Sequence, residues 1–432
     1  MRKATRKSGQ SWYMAAVYIA VSFLVSMAAR AEVVYTVNNT GDAGYTTIQD
    51  AFSALPATFA DNYRVEVQYS GSDYTNAALG TISAASYSLT IIGTGSQRPT
   101  IRTVGVAATS YGLDLNEVDR VSVMNFVFAT TLNANNQSGG YIHDVKGNGT
   151  ISGNIFKKPD RGTTGNYPGR MSAIYVANYK GQDGLIIEKN YWHSYPNSWM
   201  ISDGIASYGG SPGNPMVVRN NIVEESLLCR VIGGSWGTQS RGSIYILNNT
   251  LRASGHVSWM IGLGKHPGTD YSSVVVANNI FATMGEVDGV YDLKHPAATA
   301  ANAFLGHNMI SDSADLIDIG RTDNSTTTYA TLAAWQAVLA GGSNSWDETA
   351  SFLDDPEFAE LDDDDDPEDL KWAKDAPAHG TGMAAATVLP NGETLETMMG
   401  STDYFGNPRI TGAPDIGAFE YPPPSGTVIM IN

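Results

Sequence analysis

Short apolar runs broken by asparagine recur along the middle of the chain: VVRNNIV at 217–223, YILNNTL at 245–251 and VVANNIF at 275–281. Weaker copies flank them, MNFVF at 124–128, ISGNIF at 151–156, IIEKNYW at 186–192 and LGHNMI at 305–310. Aligned on Asn125, Asn154, Asn190, Asn221, Asn249, Asn279 and Asn308, the copies are spaced by 29, 36, 31, 28, 30 and 29 residues. A period of about thirty residues built from short, β-branched runs predicts a solenoid or a propeller. No Gly-His or Trp-Asp blade signature accompanies it, which favours the solenoid.

The physics of that solenoid favours an all-β, parallel β-helix. A coil of about thirty residues closes one turn, and the next turn stacks at about 4.8 Å. Equivalent residues then lie above one another. A column of buried asparagines satisfies itself, each amide donating to the rung above or below. Asn also tolerates the left-handed backbone of a sharp corner.

The pattern changes at both ends. TTIQDAFSAL at 46–55 predicts a short helix with Thr46 or Thr47 as N-cap and Ile48, Ala51, Phe52 and Leu55 on one face. Such a helix would cover the open end of the coil, where strand edges are otherwise unpaired. A helix is also expected around 329–340, with Leu332, Trp335 and Leu339 as its stripe. The expected organisation is a leader at 1–31, the β-helix at 32–310, and a helix, acidic loop and closing strands of the same domain at 311–432. Between Asn154 and Asn190 the long period places an insertion at about 157–171, carrying Lys157, Lys158, Arg161 and Arg170. Inserted loops mark the binding side of a solenoid.

Charge and composition narrow the setting. The net charge is −17, which argues against a nucleic-acid partner. The single cysteine, Cys229, excludes an internal disulfide. Residues 1–31 read as an export signal: Arg2, Lys3, Arg6 and Lys7, then an apolar run from Trp12 to Met27, then Ala29-Arg30-Ala31 as the cleavage site; a retained membrane anchor is the alternative, since the run is close to spanning length. Removal of the signal takes five basic residues and no acidic ones, moving the charge from −17 to −22. The expectation is a secreted, extracellular or cell-surface protein (or a periplasmic one), monomeric and without stable membrane insertion.

The tail carries a resemblance. It matches a pattern at Trp335, Asp355-Pro356, Phe358, Leu370, Ala376-Pro377-Ala378, Gly380, Asp403, Gly406-Asn407-Pro408-Arg409, Gly412 and Asp415-Ile416-Gly417-Ala418-Phe419-Glu420. This resembles the end of secreted bacterial right-handed β-helix repeat proteins. The strand-then-TIQDA order at the start is similar to that of pectin-lyase-like proteins. The resemblance implies the fold and an extracellular setting; the family is functionally mixed, so it implies no single reaction.

Candidate chemistry lies in a second echo. Lys-His-Pro recurs at 265–267 and 294–296, and each lysine stands 14 residues before an aligned asparagine. On adjacent rungs the two ammonium groups would lie about 5–7 Å apart and repel unless an anion sat between them. The pairing lowers a lysine pKa, which suits a general base. β-Elimination on a uronic acid needs a cation for the carboxylate, a base and an acid. Lys265, Lys294 and Arg230 are candidates for the first two, and His256, His266 and His295 for acid or base. Solvated turn corners kept alike by the repeat are the plain alternative.

Asp203 in ISDGI and Asp288 in VDGV, with Asp270 and Asp292 nearby, form an acidic set. Two carboxylates about 6.5–9.5 Å apart would suit an inverting glycosidase. ISDGI is similar to one motif of the polygalacturonase-like hydrolases, but the second motif, an aspartate pair one rung on, is replaced by CRVI at 229–232. Asp-Gly is also an ordinary turn signal. Trp236 and Trp259, with Trp192, Tyr195 and Trp199, could stack on sugars or fill the core, and His193 reads as structural. The acidic run 362–366 is a conceivable Ca²⁺ site, though consecutive aspartates point in different directions and a solvated loop fits better. No zinc pattern is present and no metal ligand set is assigned. The expected function is a polysaccharide lyase acting on an acidic polymer. A non-catalytic surface or adhesion β-helix and an inverting hydrolase using Asp203 and Asp288 are the alternatives.

Overall fold

The computed structural model describes residues 32–84, 86–104, 111–130, 140–157, 171–176, 183–195, 198–203, 211, 213–226, 232–233, 241–253, 259–263, 271–283, 287–293, 303–312, 316–322, 327–341, 350–358, 367–373, 375–409 and 412–421. The chain winds as a parallel β-helix. Its described strands form three sheets of ten strands each, and neighbours in a sheet come from successive turns. Sheet 1 begins at Val33–Val37 and ends at Ala303–Gly306. Sheet 2 runs from Ala77–Ala78 to Thr328–Tyr329, and sheet 3 from Tyr74–Thr75 to Phe352–Asp354. Pairing is parallel throughout except where Thr328–Tyr329 folds back on Leu316–Thr322. Beyond residue 310, Leu316–Thr322 and Phe352–Asp354 still pair with strands of the coil.

The asparagine phrases are the corners from sheet 1 to sheet 3. Each of the seven corners between residues 125 and 308 is two residues long. The first residue is left-handed: Asn125, Gly153, Lys189, Asn220, Asn248, Asn278 and His307 have φ between 54° and 67°. The second turns its side chain inward. Asn154, Asn190, Asn221, Asn249, Asn279 and Asn308 are fully buried. Each Oδ1 from Asn190 to Asn308 accepts the backbone N–H and the Nδ2–H of the asparagine one turn earlier, at 2.9–3.1 Å. Each Nδ2 also donates to a carbonyl of the preceding rung, such as Asn221 to Ile187 O at 2.9 Å. The ladder starts on the N–H of Phe126, which donates to Asn154 Oδ1 at 3.0 Å, and ends on Ser351 Oγ, which accepts from Asn308 N at 3.0 Å. Asn125 thus belongs to the left-handed column, and Phe126 holds the ladder position on that rung. Alignment on asparagine is therefore one residue out on this rung, because either residue of the corner can be asparagine.

Inside, sheet 1 stacks Val65, Ile91, Val123, Ile151, Ile187, Val218, Ile246, Val276 and Leu305, all fully buried. Sheet 3 stacks rings: Phe128 on Phe156 at 5.3 Å between centroids, and Phe156 on Trp192 at 4.8 Å. Helix α1 (Ile48–Ala54) covers the first turn with Ile48, Ala51 and Phe52 buried, and Thr47 Oγ1 caps it by accepting from Asp50 N at 3.0 Å. Helix α2 (Leu332–Gly341) closes the other end. Its Trp335 is fully buried and stacks on Tyr291 at 5.8 Å. Gly320 makes that fit, because a Cβ there would come within 2.8–2.9 Å of three Trp335 ring atoms. Gly320→Ala is expected to cost about 1–3 kcal/mol by overpacking. An unchanged melting midpoint would show that the cap contributes nothing to stability.

The region after residue 366 lies along the coil. Helix α3 (Leu395–Met399) and Met383, Ala385 and Leu389 pack on Val217, Tyr245, Leu247 and Val275 of sheet 1. Trp372, Ala376, Ile416 and Phe419 pack on Ile280, Ala282 and Met309 of sheet 3. Between these patches the left-handed column docks the segment. Asn220 Nδ2 donates to Met399 O at 2.8 Å and Asn248 Nδ2 to Asp415 O at 3.2 Å. Asn278 Oδ1 accepts from Met383 N at 2.8 Å. Lys189 Nζ donates to Thr402 Oγ1, and His307 Nδ1 lies 3.2 Å from Thr381 O.

Candidate functional site

The outer face of sheet 2 is the candidate site, and loop lengths select it. The seven corners from sheet 1 to sheet 3 between residues 125 and 308 have two residues each, whereas 13 separate Lys157 from Met171 on entry to sheet 2 and 12 separate Asp203 from Met216 on leaving it. Long connections on both edges make a sheet the floor of a groove. The C-terminal segment packs on the outer faces of sheets 1 and 3, and none of its described packing clusters includes an outer residue of sheet 2.

Strand register builds a row along this sheet: the backbones of Asp114, His143, Tyr175, Ser202, Gly233, Gly262, Asp292 and Arg321 are successive neighbours or one position from a paired residue. At its first rungs the row carries a ring stack. His143 lies between Tyr111, 3.6 Å away by centroids, and Tyr175, 4.6 Å away. Two carboxylates flank the imidazole: Asp114 Oδ1 and Asp144 Oδ2 each stand 3.4 Å from Nδ1. Burial alone would raise the Asp114 pKa. The hydrogen bond from His143, the Asn116 N–H and the charge of His143 outweigh it and hold the carboxyl below its ordinary value. Burial, then Tyr175, Asp114 and Asp144, push the Tyr111 phenol up to about 12. Tyr111 is therefore a neutral ring and donor near neutral pH, not a base.

Ligand atoms of Asp114, His143 and Asp144 all lie within 4.8 Å of one another, so this trio could hold a metal ion. On a tetrahedron with bonds of about 2.0–2.1 Å, ligand atoms stand roughly 3.3–3.4 Å apart, close to the two Nδ1 distances.

The residues singled out from sequence fall around this sheet. Asp203 ends the strand Ser198–Asp203, in register with Val176, and Asp288 lies in Val287–Leu293. Three strand steps separate them, through Ser202, Gly233, Gly262 and Asp292. Their backbones are about 14 Å apart across strands and about 16 Å along them, so they do not form an inverting pair. Trp259 is 2% exposed, and a Cβ on Gly289 would meet its ring at 2.2 Å. It is a packing residue and offers no face to a sugar. Arg230, Trp236, His256, Lys265, His266, Asp270, Lys294, His295 and the acidic run 362–366 lie outside the described residues.

His193 sits on sheet 3. Its Nδ1 is 3.0 Å from the Tyr191 hydroxyl and 3.3 Å from Glu224 Oε2. Tyr191 also donates to Glu224, and Arg252 donates to Glu224 Oε1 at 3.1 Å. Glu224 and Arg252 are 2% and 3% exposed. This buried network supports the structural reading of His193.

Sequence reasoning missed Tyr111, Asp114, His143, Asp144 and Tyr175. Counting from the ladder could not find them: His143 stands 11 residues before its ladder position and Tyr175 stands 15 before its own. Among the described residues no helix is long and apolar enough to cross a membrane. No protein-family model matches the chain, and no curated protein does either; what the structure shows is the fold, a parallel β-solenoid.

Proposed function

We propose that this is an exported protein of the pectin-lyase-like kind that cleaves an acidic, uronate-containing polysaccharide by β-elimination along the outer face of sheet 2. The observation that carries the reading is that the long connections 158–170 and 204–215 enter and leave this sheet, and that the described packing of the C-terminal segment lies on the other two. The Tyr111–His143–Tyr175 stack supports it, since sugar faces pack on aromatic rings.

The chemistry rests on the Lys-His-Pro pair. Leu263 and Leu293, register partners on adjacent strands, lead into the two stretches. In the proposed reaction Arg230 or one lysine pairs with the uronate carboxylate. The other lysine, as the free amine, takes the proton on the carbon beside that carboxylate. The C–H electron pair becomes the new C=C bond, the C–O bond to the leaving sugar breaks, and that oxygen takes a proton from His266 or His295.

Incubation with alginate, pectate or a glycosaminoglycan should raise the ultraviolet absorbance, because only elimination makes an unsaturated uronate. Lys265→Ala with Lys294→Ala should lower that rate at least tenfold and leave the melting curve nearly unchanged. Unaltered turnover removes the lysines from the mechanism. Binding with neither absorbance nor new reducing ends would favour the second reading, a glycan-binding surface protein. That reading draws on the same stack, which binds without needing any catalytic group.

A further inference from the structure

A separate cleft opens on the outer face of sheet 3, on its early turns. Its volume is about 500 Å³, within the range of about 300–1,000 Å³ usual for ligand sites. Register explains the hollow. Ala129 is paired with Arg102, and Phe128 with Phe156, so Lys157 follows on the next strand. The short Ala129 side chain lies between two long cationic ones. Arg98 adds a third cation, and Tyr69 and Gln97 complete the wall. Asp73, the carboxylate in this lining, is ion-paired with Arg102. Three cations against one carboxylate stand out in a chain of net charge −17.

We infer that this cleft is a second glycan subsite, which grips an anionic sugar residue by its carboxylate or sulfate group away from the sheet 2 face. Guanidinium groups suit such planar or branched oxyanions through paired N–H donors, and the exposed Lys157 supplies a point charge at the far side. The inference draws on the proposed function only for the identity of the polymer. Lys157 also opens the basic stretch that runs on to Arg170.

The test is titration of the purified chain with two probes, a pectate oligomer carrying carboxylates alone and a sulfated glycosaminoglycan oligomer. Arg98→Ala with Lys157→Ala, both exposed positions, should weaken binding of the preferred probe at least tenfold and flatten its salt dependence, with melting unchanged as the control for folding. The probe with the larger loss names the anion. Equal affinity in wild type and double variant, or no binding of either probe by the wild type, overturns the cleft. A wild type that binds through the cleft yet turns nothing over removes the lyase reading and leaves the subsite standing.

Discussion

Asn249→Ala is expected to destabilise the fold by about 3–5 kcal/mol, because each buried polar group left without a partner costs about 1–3 kcal/mol. Asn249 Oδ1 accepts both the backbone N–H and the Nδ2–H of Asn221, at 3.0 and 2.9 Å. Its own Nδ2 donates to Asn279 Oδ1 and to Val218 O, both at 3.0 Å. All three asparagines are fully buried, so water cannot replace what alanine removes. The loss should depend on position. Asn154 begins the ladder, and its Oδ1 accepts one bond, from Phe126 N. Asn154→Ala should therefore cost less than Asn249→Ala in urea unfolding monitored by circular dichroism. Equal losses would mean that the ladder adds no more than the volume of its side chains.

Arg409→Met should cost about 3–5 kcal/mol near neutral pH, the usual penalty for removing one partner of a buried ion pair, and distinctly less near pH 4. Arg409 donates to Glu420 Oε2 at 2.9 Å, to Asn220 Oδ1 at 2.7 Å and to Gly417 O at 2.9 Å. Both charged side chains are 1% exposed. Burial, followed by the charge of Asp415, raises the Glu420 pKa above its ordinary value, and Arg409 opposes the rise. The folded protein thus keeps this proton at a pH where the unfolded chain has released it. Stability from this group is complete below the unfolded pKa and is lost as pH rises through the folded one. Without Arg409 the folded pKa climbs further, which deepens the loss at neutral pH. A protonated Glu420 needs no counter-charge, so the variant should be closest to wild type in acid. Unfolding free energies of the two proteins at pH 4 and pH 8 check this. A pH-independent difference would reduce Arg409 to a hydrogen-bond donor and packing residue.

The docking of the tail gives the Asn-Asn doublets a second meaning. Reading the repeat assigned both ladder and corner to one asparagine. In the structure the work is divided: Asn221, Asn249 and Asn279 build the ladder, and Asn220, Asn248 and Asn278 hold the left-handed corner and receive the tail. The GNPR and DIGAFEY stretches, read as a family resemblance, are the matching half of that contact. Asp415 accepts from Gly380 N, His379 and Tyr421 N, and Asp403 accepts from Asn407 and Glu420 N. These contacts fasten the segment to itself and hold its shape against the coil.

The sequence alone determined the coil, the buried asparagine column and both capping helices. These follow from local rules: a corner of constant length keeps equivalent residues at constant spacing, and an apolar stripe marks a helix that must be covered. Tertiary structure decided the rest. It aligned Asp114, His143 and Tyr175, which stand 29 and 32 residues apart, because connections of unequal length on both sides of sheet 2 erase any fixed period there. It separated Asp203 from Asp288 for the same reason. It also brought Arg409 to Asn220 across 189 residues, a contact fixed by the shape and hydrogen-bonding of two finished surfaces and by nothing periodic in the chain.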